Sequence, residues 1–377
     1  MAKNMIRLGE VASYINGYAF KPEDRGNVGL PIIRIQDLTG NSYELGYYSG
    51  NYPQKIEIND GDILISWSAS LGVYVWDKGK ALLNQHIFKV EFMEDSIDKR
   101  YFVYAVRKKI DEMIRKSHGA TMKHIVKKDF EDTLIPYPKL EVQSKIADEL
   151  DGISEIIYMR KQQLKLYESL VRARFVEMFG SIYNNEYGYN IKTLQDVCEQ
   201  IKDGTHQTPM YTEDKGKGFK FLSSKDVVSG KIDWSRVKYI SAELHEELYS
   251  RIKPKRGDLL LAKNGTTGVA AIVETDEVFD IYVSLAILRP VDINSVYLWG
   301  AVNSMESKRQ FDESLKGIGV PNLHLGEIKK TKIVVPPIQI QEAFEQFVLQ
   351  IDKSKVVSQH TTSNPYIQNL NFAVKWL

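Results

Sequence analysis

From Pro138 to Gly180 the chain reads PKLEVQSKIADELDGISEIIYMRKQQLKLYESLVRARFVEMFG, with no proline after Pro138 and one internal glycine, Gly152. Apolar residues at Ile146, Leu150, Ile153, Ile157, Leu164, Tyr167 and Val171 follow three- and four-residue steps over almost four heptads, interrupted at Arg160 and Arg174. That spacing belongs to a helix with a narrow apolar seam. It predicts one helix over 138–180, entered at Pro138 and stopped at Gly180. At about 1.5 Å per residue such a helix is a rod of roughly 60 Å. A single globular domain has no need of one.

A stripe this narrow has to be covered by another helix, and the chain carries a candidate. PPIQIQEAFEQFVLQIDKSKVV, from Pro336, aligns with PKLEVQSKIADELDGISEII 198 residues earlier, placing Pro336 on Pro138, Ile338 on Leu140 and Gln341 on Gln143. The seam is expected to face Phe344, Phe347, Val348 and Ile351. After Val357 the apolar pattern fades, and Ser363-Asn364-Pro365 turns or breaks any helix. The seam near Tyr167, Val171 and Phe175 is therefore expected to need cover from another protein.

The duplication extends to what precedes each helix. IKTLQDVCEQI (191–201) repeats MIRLGEVASYI (5–15), and FKFLSSKDV (219–227) repeats PIIRIQDL (31–38), with Asp226 on Asp37. GDLLLAKNGTTGVAAIV (257–273) repeats GDILISWSASLGVYVWD (61–77), and VYLWGAVNSMESKRQFDESLKG (296–317) repeats the helical pattern of 96–117. The expected elements are a short helix over Leu8–Ile15, strands over 61–77 and 81–92, and a helix over 96–117. A repeat of this order is the strongest signal in the chain. It predicts an α/β (α+β) protein with two pseudo-repeated globular domains, 1–137 and 181–335, separated by a pair of long antiparallel helices at 138–180 and 336–377. A pseudo-twofold object of this kind suits a linear partner that is itself nearly twofold, and duplex DNA is the obvious one.

A chain of 377 residues, 43% hydrophobic and 26% charged, has room for two cores. Its net charge of +1 gives no global pull toward nucleic acid or membrane, so any basic surface must be local. One cysteine, Cys198, excludes an internal disulfide framework and suits a reducing compartment. No apolar run approaches a membrane span and the N-terminus lacks a signal-like core, so a cytoplasmic protein is expected.

The order of these segments, with GDILIS and GDLLLA, LNQHIFKV (83–90), GATMKHIVKKDFE (119–131), DGTHQTP (203–209), GVPNLHLGEIKK (319–330) and the proline-headed helices, resembles the specificity (HsdS) subunit of type I restriction–modification systems. The resemblance covers residues 1 to about 357. It implies two target-recognition domains, each reading half of a bipartite double-stranded DNA site, and helices that set the spacer and dock two methyltransferase subunits, with restriction subunits joining them. It also implies a subunit without catalysis of its own, S-adenosylmethionine, ATP and Mg acting on its partners. Ile146, Leu150, Ile153, Ile157, Leu164, Tyr167, Val171, Phe344, Phe347 and Ile351 are the expected subunit interface. Two other readings are a fragment of a single-chain restriction–modification enzyme and a scaffold that binds protein only.

The residues themselves point away from catalysis. Asn364-Pro365-Tyr366 lacks a proline of the amino-methyltransferase loop, Gly216-Lys217-Gly218 lacks Walker spacing, and the seven histidines show no metal-ligand clustering. Asp258 with Lys263 has the residue types of a nuclease core, but Asp62 in the other repeat has no matching lysine, and a turn into a strand explains Asp258 better. For DNA contact, the run from Arg107 to Lys128 carries a local net charge of +6. A solvated helix face is its plain reading; the polar loop at 118–121 inside it suits phosphate contact by Lys123, Lys127 and Lys128. In the second repeat Thr205, His206, Gln207 and Thr208 carry the donors and acceptors of direct readout, as do Asn264 and Thr266, with Lys263 on phosphate. The matching turn of the first repeat holds Ser66, Ser68 and Ser70, with Trp67 free either to pack or to stack.

Overall fold

The structure, a computed structural model, describes residues 4–93, 97–116, 125–207, 209–214, 216–265, 267–315 and 322–363. Lys123, Thr208, Thr266 and the tail beyond Ser363 lie outside them. The chain divides into two compact units, one built on residues up to 160 and the other on 161–359.

In the first unit Met5–Arg7 pairs antiparallel with Leu134–Pro136, tying the start of the domain to the residues just before the long helix. An antiparallel sheet follows, in the order Ala12–Asn16, Ile87–Phe92, Ile63–Ser66, Gly72–Val75. A second sheet orders Gly46–Tyr48, Leu30–Ile33, Ala81–Leu83 and Glu57–Ile58, with one parallel pairing between Leu30–Ile33 and Ala81–Leu83. Ile63–Ser66 is buried on both faces. Ile63 and Ile65 join the core under helix Lys99–Lys116, while Leu64 joins the core of the second sheet. Period-two alternation thus feeds two cores from one strand.

The second unit repeats this plan. Asn190–Thr193 pairs with Lys332–Val335, and the antiparallel sheet orders Cys198–Asp203, Leu285–Pro290, Leu259–Ala262, Ala270–Ile272. A smaller sheet again contains one parallel pairing, Phe219–Leu222 with Phe279–Ile281. Leu259 and Leu261 face one core and Leu260 the other. The duplicated α/β plan expected from the sequence is therefore the fold. The second unit adds helix Ala242–Arg251 and splits the helix expected over 296–317 into Ser295–Val302 and Met305–Ser314. At the break, the Asn303 side chain bonds both the N–H and the carbonyl of Ala270, at 3.0 and 2.9 Å, and Ser304 caps the next helix.

Three local expectations are corrected. The span 61–77 is a hairpin of Ile63–Ser66 and Gly72–Val75, turned where Ala69 takes φ +56°. The span 81–92 is two strands in different sheets, parted at Asn84–His86, where His86 takes φ +72°. Only one helical turn, Leu8–Val11, precedes strand Ala12–Asn16, because Tyr14 is drawn into the sheet core with its hydroxyl on the Leu8 carbonyl at 3.1 Å.

The long helix spans Leu140–Phe179, 40 residues, and ends at Gly180 with φ +66°. The C-terminal helix spans Ile338–Ser363. Their expected pairing is corrected. In the second unit Val171, Phe175 and Phe179 are buried with Phe344, Val348 and Ile351. The Phe344 ring centre lies 5.3 Å from that of Phe175 and 5.5 Å from that of Phe179, and the Arg174 guanidinium lies over Phe347. Falling numbers on one helix meet rising numbers on the other, so this pairing is antiparallel. The supposedly uncovered Phe175 is 8% exposed. In the first unit Ala147 and Leu150 are buried and Ile146 packs beside them in that unit's own core. Ile153, Ile157 and Leu164 are half-buried and belong to neither core, and Tyr167 packs at the edge of the second. The seam is thus divided, Ile146, Ala147 and Leu150 packing in the first unit and Val171, Phe175 and Phe179 in the second.

Candidate nucleic-acid interface

In each unit the antiparallel sheet ends in a cluster of loops, and the same backbone bonds hold both clusters. In the first unit the chain leaves strand Ala12–Asn16 at Gly17, where a Cβ would stand 2.1 Å from the Asn84 carbonyl oxygen. In the second it leaves Cys198–Asp203 at Gly204, where a Cβ would stand 2.0 Å from the Ile281 carbonyl oxygen. Only glycine permits such an approach. Tyr18 then donates to Leu83 and accepts from Gln85, as Thr205 donates to Ile281 and accepts from Val283.

The hairpin end follows suit. Trp67 N–H donates to His86 O at 3.2 Å and Ile125 N–H donates to Trp67 O at 2.9 Å; Lys263 N–H donates to Ser284 O at 2.8 Å and Leu323 N–H to Lys263 O at 3.0 Å. The side chains differ. Trp67 Nε1 donates to Asn16 Oδ1 at 3.1 Å, with its ring stacked on Phe88 and edge-on to His86. Trp67 therefore packs. Lys263, 5% exposed, gives its ammonium to Asp203.

The expected contact residues fall into distinct places. Ser66 is fully buried and donates to the Ser70 carbonyl, so its hydroxyl serves the hairpin turn; Ser70 is exposed and Ser68 half-buried beside it. Thr205 is buried and its hydroxyl accepts from Gln207 N–H. His206 and Gln207 are exposed, His206 Nε2 lying 3.5 Å from Asp203 Oδ2. Asn264 is half-buried and bridges to Asn322. Lys263 is spent on its ion pair, a correction to its expected place on phosphate: burial without Asp203 would leave a charge uncompensated.

Lys127 donates to Tyr14 O and lies 3.6 Å from Glu131, whereas Lys128 is exposed with no ion-pair partner among the described residues. Elsewhere in the basic run Lys109 pairs with Glu112 and Arg107 lies over the Tyr104 ring. Asp258 accepts from Lys255 N–H and from Arg289, and Asp62 accepts from Asn59 N–H and pairs with Lys89. Both close the turn into a strand. Burial pushes the Cys198 thiol up to about 12, which leaves it unreactive.

Sequence reasoning missed Asn16 and Asp203 as partners of Trp67 and Lys263. The signal was available: Asn16-Gly17 and Asp203-Gly204 are matching dipeptides at matching strand ends. Among the described residues no group of His, Cys, Asp and Glu could hold a metal ion, and no helix is long and apolar enough to cross a membrane.

The family profile described as type I restriction modification DNA specificity domain matches residues 2–166 and 186–364. The chain is similar to the type I restriction enzyme EcoBI specificity subunit of Escherichia coli, 26% identical over 92% of this chain and 78% of that protein. It is also similar to the MjaVIII specificity subunit of Methanocaldococcus jannaschii, 24% identical over 98% of this chain and 94% of that one. Its fold resembles the crystal structure of the type I restriction–modification S subunit from M. genitalium, with a TM-score of 0.54 and 14% identity over 99% and 96% of the two chains. A chain from a structural study of complex assembly and conformational transition in a type I system aligns with a TM-score of 0.58 and 17% identity, over 98% and 96% of the two chains.

Proposed function

The chain belongs to the type I restriction–modification DNA specificity family, and we propose that it reads a bipartite DNA site, one half with the loop cluster of each unit, while docking the methyltransferase and restriction subunits of its enzyme. The observation that carries this reading is the pair of loop clusters: the backbone bonds are the same, while the side chains they hold differ, Asn16 with Trp67 in one and Asp203 with Lys263 in the other. A framework shared by both units with different side chains on it is what two independent readers of different sequences require.

Phosphate contacts by exposed lysines such as Lys128 would set the position on the duplex. Polar side chains such as His206 and Gln207 would read base edges. The subunit has no catalytic role in this reading. Methyl transfer from S-adenosylmethionine and steps driven by ATP with Mg belong to partners, and the enzyme works in the cytoplasm.

The test is a gel shift with duplex DNA, with and without the methyltransferase subunits, joined to sequencing of methylated bases in a cell carrying the system. A single bipartite methylated motif that depends on this chain is expected. Binding of the subunits without any DNA binding would leave only a protein scaffold.

A further inference from the structure

The position held by Trp67 in the first unit is held by Lys263 in the second, and the strand-end residue that meets it changes from Asn16 to Asp203. The neutral pair meets its partner at the same place in the framework as the charged one, so the framework itself does not demand a charge. Burying an ion pair brings little stability over a well-packed neutral pair. The charge therefore has another use. Asp203 Oδ2 faces buried Lys263 on one side and Nε2 of His206, 74% exposed, on the other. Lys263 clamps the carboxylate, and the one imidazole of the loop at 203–207 lies beside it, 3.5 Å away.

We propose that Asp203, clamped by Lys263, is a positioning residue that orients His206 and through it sets a base preference in the half-site read by the second unit. This rests on the reading of the chain as a DNA specificity subunit. The first unit, with Asn16 and Trp67 in these places, has no such orienting carboxylate.

The experiment uses the complete modification enzyme in its host, with sequencing of methylated bases, and thermal melting of the full chain. Lys263→Met should lower the melting temperature, because the Asp203 carboxylate loses its clamp. Asp203→Leu combined with Lys263→Met should regain most of that loss, since an apolar pair replaces the ion pair. The motif should nevertheless relax at a position of one half only, discrimination there falling about tenfold, toward the lower end for a lost base contact. Exposed His206→Ala should keep the melting temperature and relax the same position. A double variant or a His206→Ala variant that keeps the full motif would reduce the pair to a structural one and overturn the proposal, as would relaxation in the other half. A wild-type enzyme that marks no bipartite motif would instead overturn the reading of the chain itself.

Discussion

Gln143 and Gln341, 198 residues apart in the chain, make the same two hydrogen bonds in their separate units. Gln143 Oε1 accepts from Asp98 N–H at 2.9 Å and its Nε2 donates to Pro138 O at 2.8 Å; Gln341 Oε1 accepts from Asn294 N–H at 2.9 Å and its Nε2 donates to Pro336 O at 2.8 Å. Both side chains are essentially without exposure. Each latch ties the first turn of a long helix to the cap of the domain helix beside it. Tyr101 and Tyr297 add a second equivalent tie, their hydroxyls donating to Pro136 O and Val334 O.

Replacing either glutamine by leucine should cost about 1–3 kcal/mol, the price of a buried donor left unmade. Chemical denaturation would read it, and the two variants should lose similar amounts. A neutral effect at either position would mean that the latch only decorates a register set elsewhere.

Acid should weaken the first unit through Asp98. Burial pushes its carboxyl up, but N–H donors from Tyr101 and Arg100, the Ser144 hydroxyl and the Arg100 guanidinium outweigh this and hold it below the ordinary range. A depressed carboxylate contributes stability that is present above its unfolded pKa of about 3.9 and lost as pH falls through the folded value. Asp98→Asn keeps a capping oxygen, as Asn294 shows in the other unit. The melting-temperature gap between wild type and this variant should be full above about pH 5 and close as pH falls through the depressed folded value; a gap independent of pH would contradict it.

The end of the long helix should be well protected without any partner. Phe344→Ala should cost about 3–5 kcal/mol, and Gly300→Ala should also destabilise, because its Cβ would stand 2.6 Å from the Phe175 ring. Hydrogen exchange on the isolated chain should show 171–179 opening more slowly than 153–166. Faster opening of 171–179 would restore the idea of an uncovered seam.

Exposed lysines and exposed amides should separate in DNA binding. Lys128→Ala should weaken binding to all sequences alike and reduce the salt slope by about 0.9. Gln207→Ala should relax one base position at about 1–3 kcal/mol if its contact is bidentate. Titration over a salt series, with matched and mismatched duplexes, distinguishes them, and a uniform loss for Gln207→Ala would move it to the phosphate class.

Exchanging residues 1–137 for the equivalent domain of a relative should change one half of the methylated motif and leave the other. Simultaneous change of both halves, read by the same base-modification sequencing, would refute independent readers.

What the sequence by itself determined is the duplicated plan and the long helix. Repeated order, proline heads, heptad spacing and the glycine at 180 are all local signals, and local signals survive without knowledge of contacts. Turns were less legible: nothing in ALLNQHIFKVEF announces that His86 takes a left-handed conformation and sends the two halves into different sheets. The strand ends show the same limit, because Asp203-Gly204 and Lys263 are recognisable residue types whose pairing spans 60 residues. Only the tertiary structure decided that Lys263 is a clamp rather than a phosphate contact, and that Phe344 meets Phe175 rather than the middle of the seam. An apolar period fixes which face of a helix is buried. It cannot fix the register against another helix, since every heptad offers nearly the same surface; in the second unit Gln341, tied to Asn294 and Pro336, anchors the helix that carries Phe344.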